Sequence, residues 1–256
     1  MSFAIAISPH GHSQKNTSSV MRWTIFALVP GIAAQCYLFG WGVLFQLLLT
    51  VSTALICETV ILRLRGFAIL PSLRDSSAIL TAALIAVAIP PLLPWWMTVL
   101  ATAFAITIAK QLYGGLGQNP FNPAMVGYVL LLVSFPVPMT TWQVPQSIAS
   151  QTLSPSDTAS IIFNGQTTGG LTSYQLKSLV DGTTMATPLD HMKTETQRGH
   201  SVESAIALPN FSAISHDGWR WINLSFLVGG VILFAFRLIP WQTPFARRLA
   251  TCRYDY

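Results

Sequence analysis

WGVLFQLLLTVSTALICETVIL, residues 41–62, holds one charged side chain, Glu58, and one amide, Gln46, in an otherwise apolar or hydroxyl-bearing run. A helix rises 1.5 Å per residue, so about 20 such residues cross the hydrocarbon of a bilayer. This stretch therefore reads as a transmembrane helix, and lipid becomes the solvent against which the rest is judged. The composition agrees: 52% of the residues are hydrophobic and 9% charged, against about a quarter charged in soluble domains. Mean hydropathy is +0.52.

Apolar runs recur on both sides of it, at 23–38, 77–93, 95–108, 123–135 and 221–239. The expected fold class is an all-α polytopic membrane protein with about six spans, broken half-helices and one long outer loop. The domain plan is a leader at 1–22, a membrane domain with spans one to five at 23–135, a loop at 136–218, a sixth span at 219–240 and a tail at 241–256. The opening MSFAIAISPHGHSQKNTSSVMR lacks the order of basic, apolar and cleavable segments that marks a signal peptide.

Basic residues in short loops stay on the cytoplasmic side. Lys15, Arg22, Arg63, Arg65, Arg74, Lys110, Arg237, Arg247, Arg248 and Arg253 flank alternate ends of the runs. Both termini are thus expected in the cytoplasm of a bacterial inner membrane, with the loop at 136–218 in the periplasm. The net charge of +5 is mostly this topological signal, and nucleic acid is not an expected partner. Cys36, Cys57 and Cys252 show no metal-ligand or disulfide spacing and read as fillers and a tail thiol. No metal is expected, so an electron carrier here requires an organic cofactor. Glu58 reads as a salt-bridged or snorkelling residue near Arg63 and Arg65, with an ion path as the functional alternative.

Two stretches break the helical pattern. AIPPLLPWW, residues 88–96, loses backbone donors at three prolines. KQLYGGLGQNPFNPAMVG, residues 110–127, crowds glycine, asparagine and proline between spans four and five. Irregular backbone at membrane depth is tolerated where protein buries it or where it lines a wet cavity. Gly114, Gly115 and Gly117 permit positive φ, while Asn119 and Asn122 offer caps. A half-helix from Pro123 would aim its free amides at an anionic or carbonyl-bearing ligand. A tight capped turn is the plainer reading.

In the outer loop, DGTTMATPL, residues 181–189, resembles the flavin-attachment motif of the NqrB/RnfD family, in which a threonine accepts FMN through a phosphoester. Asp181, Gly182, Thr184 and Thr187 match, with Thr187 at the modified position and Thr183 where alanine is usual. YGGLGQNPFNPAMVGYVLL is similar to the same family's membrane motif. The opening Asp181 and the later DGWRWINLSFLVGGV point to the RnfD branch.

The resemblance, read from the leader to about Leu238, implies a membrane subunit of the Rnf complex. Such a subunit relays electrons between ferredoxin and NAD and couples them to sodium or proton movement. Covalent FMN at Thr187 is implied as cofactor, with Asp181, Gly182 and Thr184 as its binding motif. Riboflavin or a quinone is implied near Gly114, Gly115, Asn119 and Asn122. Family members are expected to carry about ten spans in two inverted repeats. The closing WQTPFARRLATCRYDY departs from that plan. Implied partners are the other Rnf membrane and flavin or iron–sulfur subunits, membrane lipid and a flavin transferase for maturation. A threonine hydroxyl is a poor nucleophile without a base and a metal, and neither is visible in the loop. The chain is expected to be catalytic only within the complex. The alternatives are a transporter or channel binding a small solute at the 114–124 break, and a scaffold.

Overall fold

The computed structural model describes residues 16–115, 117–143, 145–146, 153–172, 193, 195–201, 203–204 and 218–239. Helices α1 (Thr17–Phe39), α2 (Gly42–Leu64), α3 (Ile69–Leu73), α4 (Ser77–Ala88) and α5 (Trp95–Phe104) lead into a π-helical segment, Ala105–Gln111. Helices α6 (Pro123–Ser134), α7 (Pro136–Thr140), α8 (Pro155–Asn164) and α9 (Arg220–Ala235) complete the main elements. Among the described residues there is no strand, only an isolated bridge between Gln166 and Thr172.

Each apolar run becomes a helix, and composition explains the boundaries. The first ends at Gly40, whose φ of 77° breaks the helix before α2 starts at once. Helix α4 stops at Ala88, because Pro90, Pro91 and Pro94 cannot donate to a continuing ladder. Helix α6 starts with Pro123 in its first turn, where an N–H would have no helical partner anyway. Among the described residues, α2 is the one helix long and apolar enough to cross a bilayer by itself; α4, α6 and α9 are shorter apolar helices.

Helix α1 packs along α9, while α2 lies against α4 and α5, and α6 against α4, α5 and the π segment. The α1–α9 seam is close: a Cβ on Gly229 would stand 2.1 Å from the Ala27 carbonyl oxygen. Small residues permit such approach where lipid offers no hydrophobic drive between helices. One core layer runs from Ile85, Ile89 and Leu93 through Met97 and Ala101 to Leu131 and Met139. A second joins Ala54, Ala78, Ala82 and Ile106, with Cys57 packed beside it. The outward faces are apolar too, with Leu48 at 72% and Val133 at 76% exposure. Such a surface suits hydrocarbon and would be unusual in water.

Candidate functional site

The glycine–asparagine stretch folds as a turn that satisfies itself. Gly114, Gly115 and Gly117 have φ of 106°, 103° and 86°, the left-handed region where a side chain would be strained. The Asn122 side chain accepts from the Ala124 amide at 3.0 Å and caps α6. Asn119 instead donates from Nδ2 to the Phe121 carbonyl at 2.7 Å, which makes it a turn residue rather than a cap. The half-helix expected from Pro123 is present, with one of its free amides already taken. Tyr113 and Phe121 present exposed rings beside the turn, and a Cβ on Gly115 or Gly117 would meet open space.

A buried polar cluster stands behind this turn, between α2, α4 and the π segment. Lys110 Nζ donates to Glu58 Oε1 at 2.6 Å and to Ser77 Oγ at 2.7 Å. Gln111 Nε2 donates to the same Glu58 oxygen at 3.1 Å. Ser77 Oγ in turn donates to Asp75 Oδ1 at 2.7 Å. Glu58 is 1% exposed and Lys110 2%. Glu58 Oε2 is buried without a hydrogen-bond partner among the described residues.

This arrangement corrects two sequence readings. The partner of Glu58 is Lys110, not Arg63 or Arg65; Arg65 reaches past it to the Gln111 carbonyl at 2.8 Å. Lys110, expected as a loop charge behind span four, is a buried helical residue. The π segment accounts for both. Its bonds run over five residues, from Leu112 N to Thr107 O and from Gly115 N to Lys110 O. The wider turn brings the consecutive residues Lys110 and Gln111 to the same carboxylate, as π-bulges commonly do at functional sites. The missed signal is a lysine in AITIAKQL, an apolar run that a buried acid elsewhere must balance.

At the opposite end of the bundle, Gln46 fills the proline break. Its Nε2 donates to the Leu93 carbonyl at 2.6 Å and the Pro91 carbonyl at 3.3 Å, and its Oε1 accepts from Thr98 Oγ1 at 2.7 Å. The carbonyls released by the prolines are thus satisfied by a neighbouring helix.

The ends of the long loop are pinned together. Trp142 and Trp219 meet at 5.1 Å between ring centroids and lie 5.8 and 5.5 Å from Phe39. Gln146 N donates to the Leu38 carbonyl at 2.8 Å. Asp181, Gly182, Thr184 and Thr187 lie outside the described residues. Further along the loop, Glu195 accepts from Arg198 at 2.7 Å and contacts His200 Nδ1 at 2.7 Å. The His200 hydrogen bond, followed by the Arg198 charge, holds the Glu195 carboxyl below its ordinary range.

Comparison with known sequences decides the lineage. Residues 4–252 match the family described as NQR2, RnfD, RnfE. The chain belongs to the NQR2, RnfD, RnfE family. A Tolumonas auensis protein, named as the D component of an ion-translocating oxidoreductase complex, is 75% identical over 246 residues, 96% of this chain and 71% of the relative. A Salmonella enteritidis protein of the same name is 52% identical over 255 residues, 98% of this chain and 72% of the relative. The NQR2, RnfD, RnfE match takes in both the glycine–asparagine turn and the DGTTMATPL stretch. It also reaches residue 252, past Leu238, where the sequence resemblance is expected to end.

Proposed function

We propose that this chain is a membrane-embedded, flavin-carrying subunit of an ion-translocating oxidoreductase complex, relaying electrons through FMN held by a phosphoester on Thr187. The observation that carries this reading is the 75% identity, across almost the whole chain, to a protein named as a component of such a complex. The DGTTMATPL stretch supports Thr187 as the attachment point, with Gly182 giving a modifying enzyme room at the backbone. A flavin supplies one- or two-electron transfer, and the protein supplies its position and electrostatics. The paired tryptophans support that role by fixing both ends of the loop to the bundle.

The proposed topology has about six spans in this chain, termini in the cytoplasm and residues 136–218 in the periplasm, in line with the basic-residue asymmetry. Partners in the proposal are the other subunits of the complex, bilayer lipid and a flavin transferase. The translocated ion is sodium or a proton. A riboflavin or quinone near Gly114, Gly115, Asn119 and Asn122 would rest on backbone and on the Tyr113 and Phe121 rings. Both asparagines already commit a polar atom inside the turn. For the same reason a solute-binding transporter at 114–124 finds little support.

The test is a denaturing gel read for flavin fluorescence, with mass spectrometry of the tryptic peptide. Protein from a host with a working flavin transferase should fluoresce and carry one FMN on that peptide, and Thr187→Ala should abolish both. A bare Thr187 in such a host ends the proposal.

A further inference from the structure

We propose that Asp75, Ser77, Lys110 and Glu58 form a proton relay leading from the arginine-rich end of the bundle to a carboxylate buried between helices. This inference deepens the reading of the chain as part of an ion-translocating complex and rests on it.

The connection is continuous. Asp75 precedes α4, is partly exposed, and sits at the end of the bundle where Arg63, Arg65 and Arg74 lie. Its Oδ1 takes both the Ser77 amide at 2.8 Å and the Ser77 hydroxyl at 2.7 Å. Lys110 Nζ bridges Ser77 Oγ and Glu58 Oε1 at 2.7 and 2.6 Å. Every link from Asp75 through the Ser77 hydroxyl and Lys110 to Glu58 is 2.7 Å or shorter, the ordinary length for good proton-sharing contacts.

A structural ion pair would need neither of two further features. Ser77 and Asp75 extend the contact outward although Lys110 already neutralises Glu58. Glu58 Oε2 is also left buried and, among the described residues, unpaired, where a carboxylate built only for stability would have both oxygens satisfied.

The transfer balances. Lys110 gives a proton to Glu58, and the neutral amine then takes the Ser77 hydroxyl proton. Ser77 takes one from Asp75, which had first taken a proton from hydronium at the surface, so that the Ser77 hydroxyl turned from Asp75 toward the amine. The net result is one proton moved from solvent to Glu58. Lys110 is charged again, Asp75 is again a carboxylate and Ser77 is unchanged. The groups bonded to Glu58 are Lys110 and Gln111 from the π segment; Ser77 from α4 reaches it through Lys110, and Arg65 is bound to the Gln111 carbonyl.

The experiment uses the whole complex in proteoliposomes, measuring electron throughput and proton and sodium uptake together, in H2O and D2O. Ser77→Val matches Ser77→Thr in shape but lacks a hydroxyl, while Asp75→Asn keeps the acceptor and loses the titratable group. Ser77→Val and Asp75→Asn should lower protons moved per electron by about tenfold or more. Ser77→Thr should retain uptake and its deuterium isotope effect. Wild-type proton uptake and isotope effect persisting in both loss variants overturns the relay. So does wild-type complex that moves sodium and no protons. Electron flow with no ion uptake in the wild type overturns the underlying reading and the relay with it. A Ser77→Val complex that does not assemble leaves the decision to Asp75→Asn.

Discussion

The two ends of the bundle bury polar side chains for different purposes. At the proline break, Gln46 is neutral, 0% exposed, and engages two carbonyls and the Thr98 hydroxyl. At the other end, Glu58 and Lys110 form an ion pair, and one carboxylate oxygen is unpaired among the described residues. The first arrangement repairs backbone that prolines opened. The second carries a desolvation penalty that no backbone defect requires, the pattern expected where charge is used.

Removing one member of each network separates them. Lys110→Met strands the Glu58 charge and should destabilise the chain by about 3–5 kcal/mol, read as thermal unfolding in detergent. The double variant Glu58→Gln, Lys110→Met should recover most of that loss. Equal stability of Lys110→Met and wild type would make the pair energetically idle and erase the contrast.

Gln46→Leu leaves the Pro91 and Leu93 carbonyls without this donor, and should cost about 1–3 kcal/mol. Ion uptake per electron should be unaffected in the assembled complex. A selective loss of uptake would make the proline break part of the ion route.

Asn122→Ala removes the α6 cap and should destabilise by about 1 kcal/mol, again by thermal unfolding. Asn119→Ala, which loses only a turn contact to Phe121, should have a smaller effect. The reverse order would mean that the cap bond is unimportant and the turn sets the start of α6.

The smallest effect belongs to the Glu195 turn. Its folded carboxyl is held below the ordinary range, so its contribution is present above the unfolded value of about 4.3 and is lost as pH falls through the folded value. Limited proteolysis near Arg198 should therefore be steady around neutrality and accelerate only in stronger acid. Acceleration between neutrality and pH 5 would point to another group.

Much of the fold was legible in advance because the bilayer is a strict filter. Six apolar runs, three prolines at 90, 91 and 94, and Asn-Pro at 122–123 place helices and breaks by local chemistry alone, and helices form there. Gly114 and Gly115 adopt the positive φ their composition permits. The partner of Glu58 was not legible. Arg63 and Arg65 are near it in sequence, whereas Lys110 lies 52 positions away and is swung into place by a π turn with no short motif.

Sequence by itself determined the solvent, the helices and their interruptions, because each follows from side-chain polarity and spacing along one stretch of chain, and its motifs carried the resemblance to the family. Only tertiary structure decided that Asp75, Ser77, Lys110, Gln111 and Glu58 converge. Pairing buried charges depends on how α2, α4 and the π segment pack, and Coulomb attraction in a dry interior rewards proximity in space rather than in sequence.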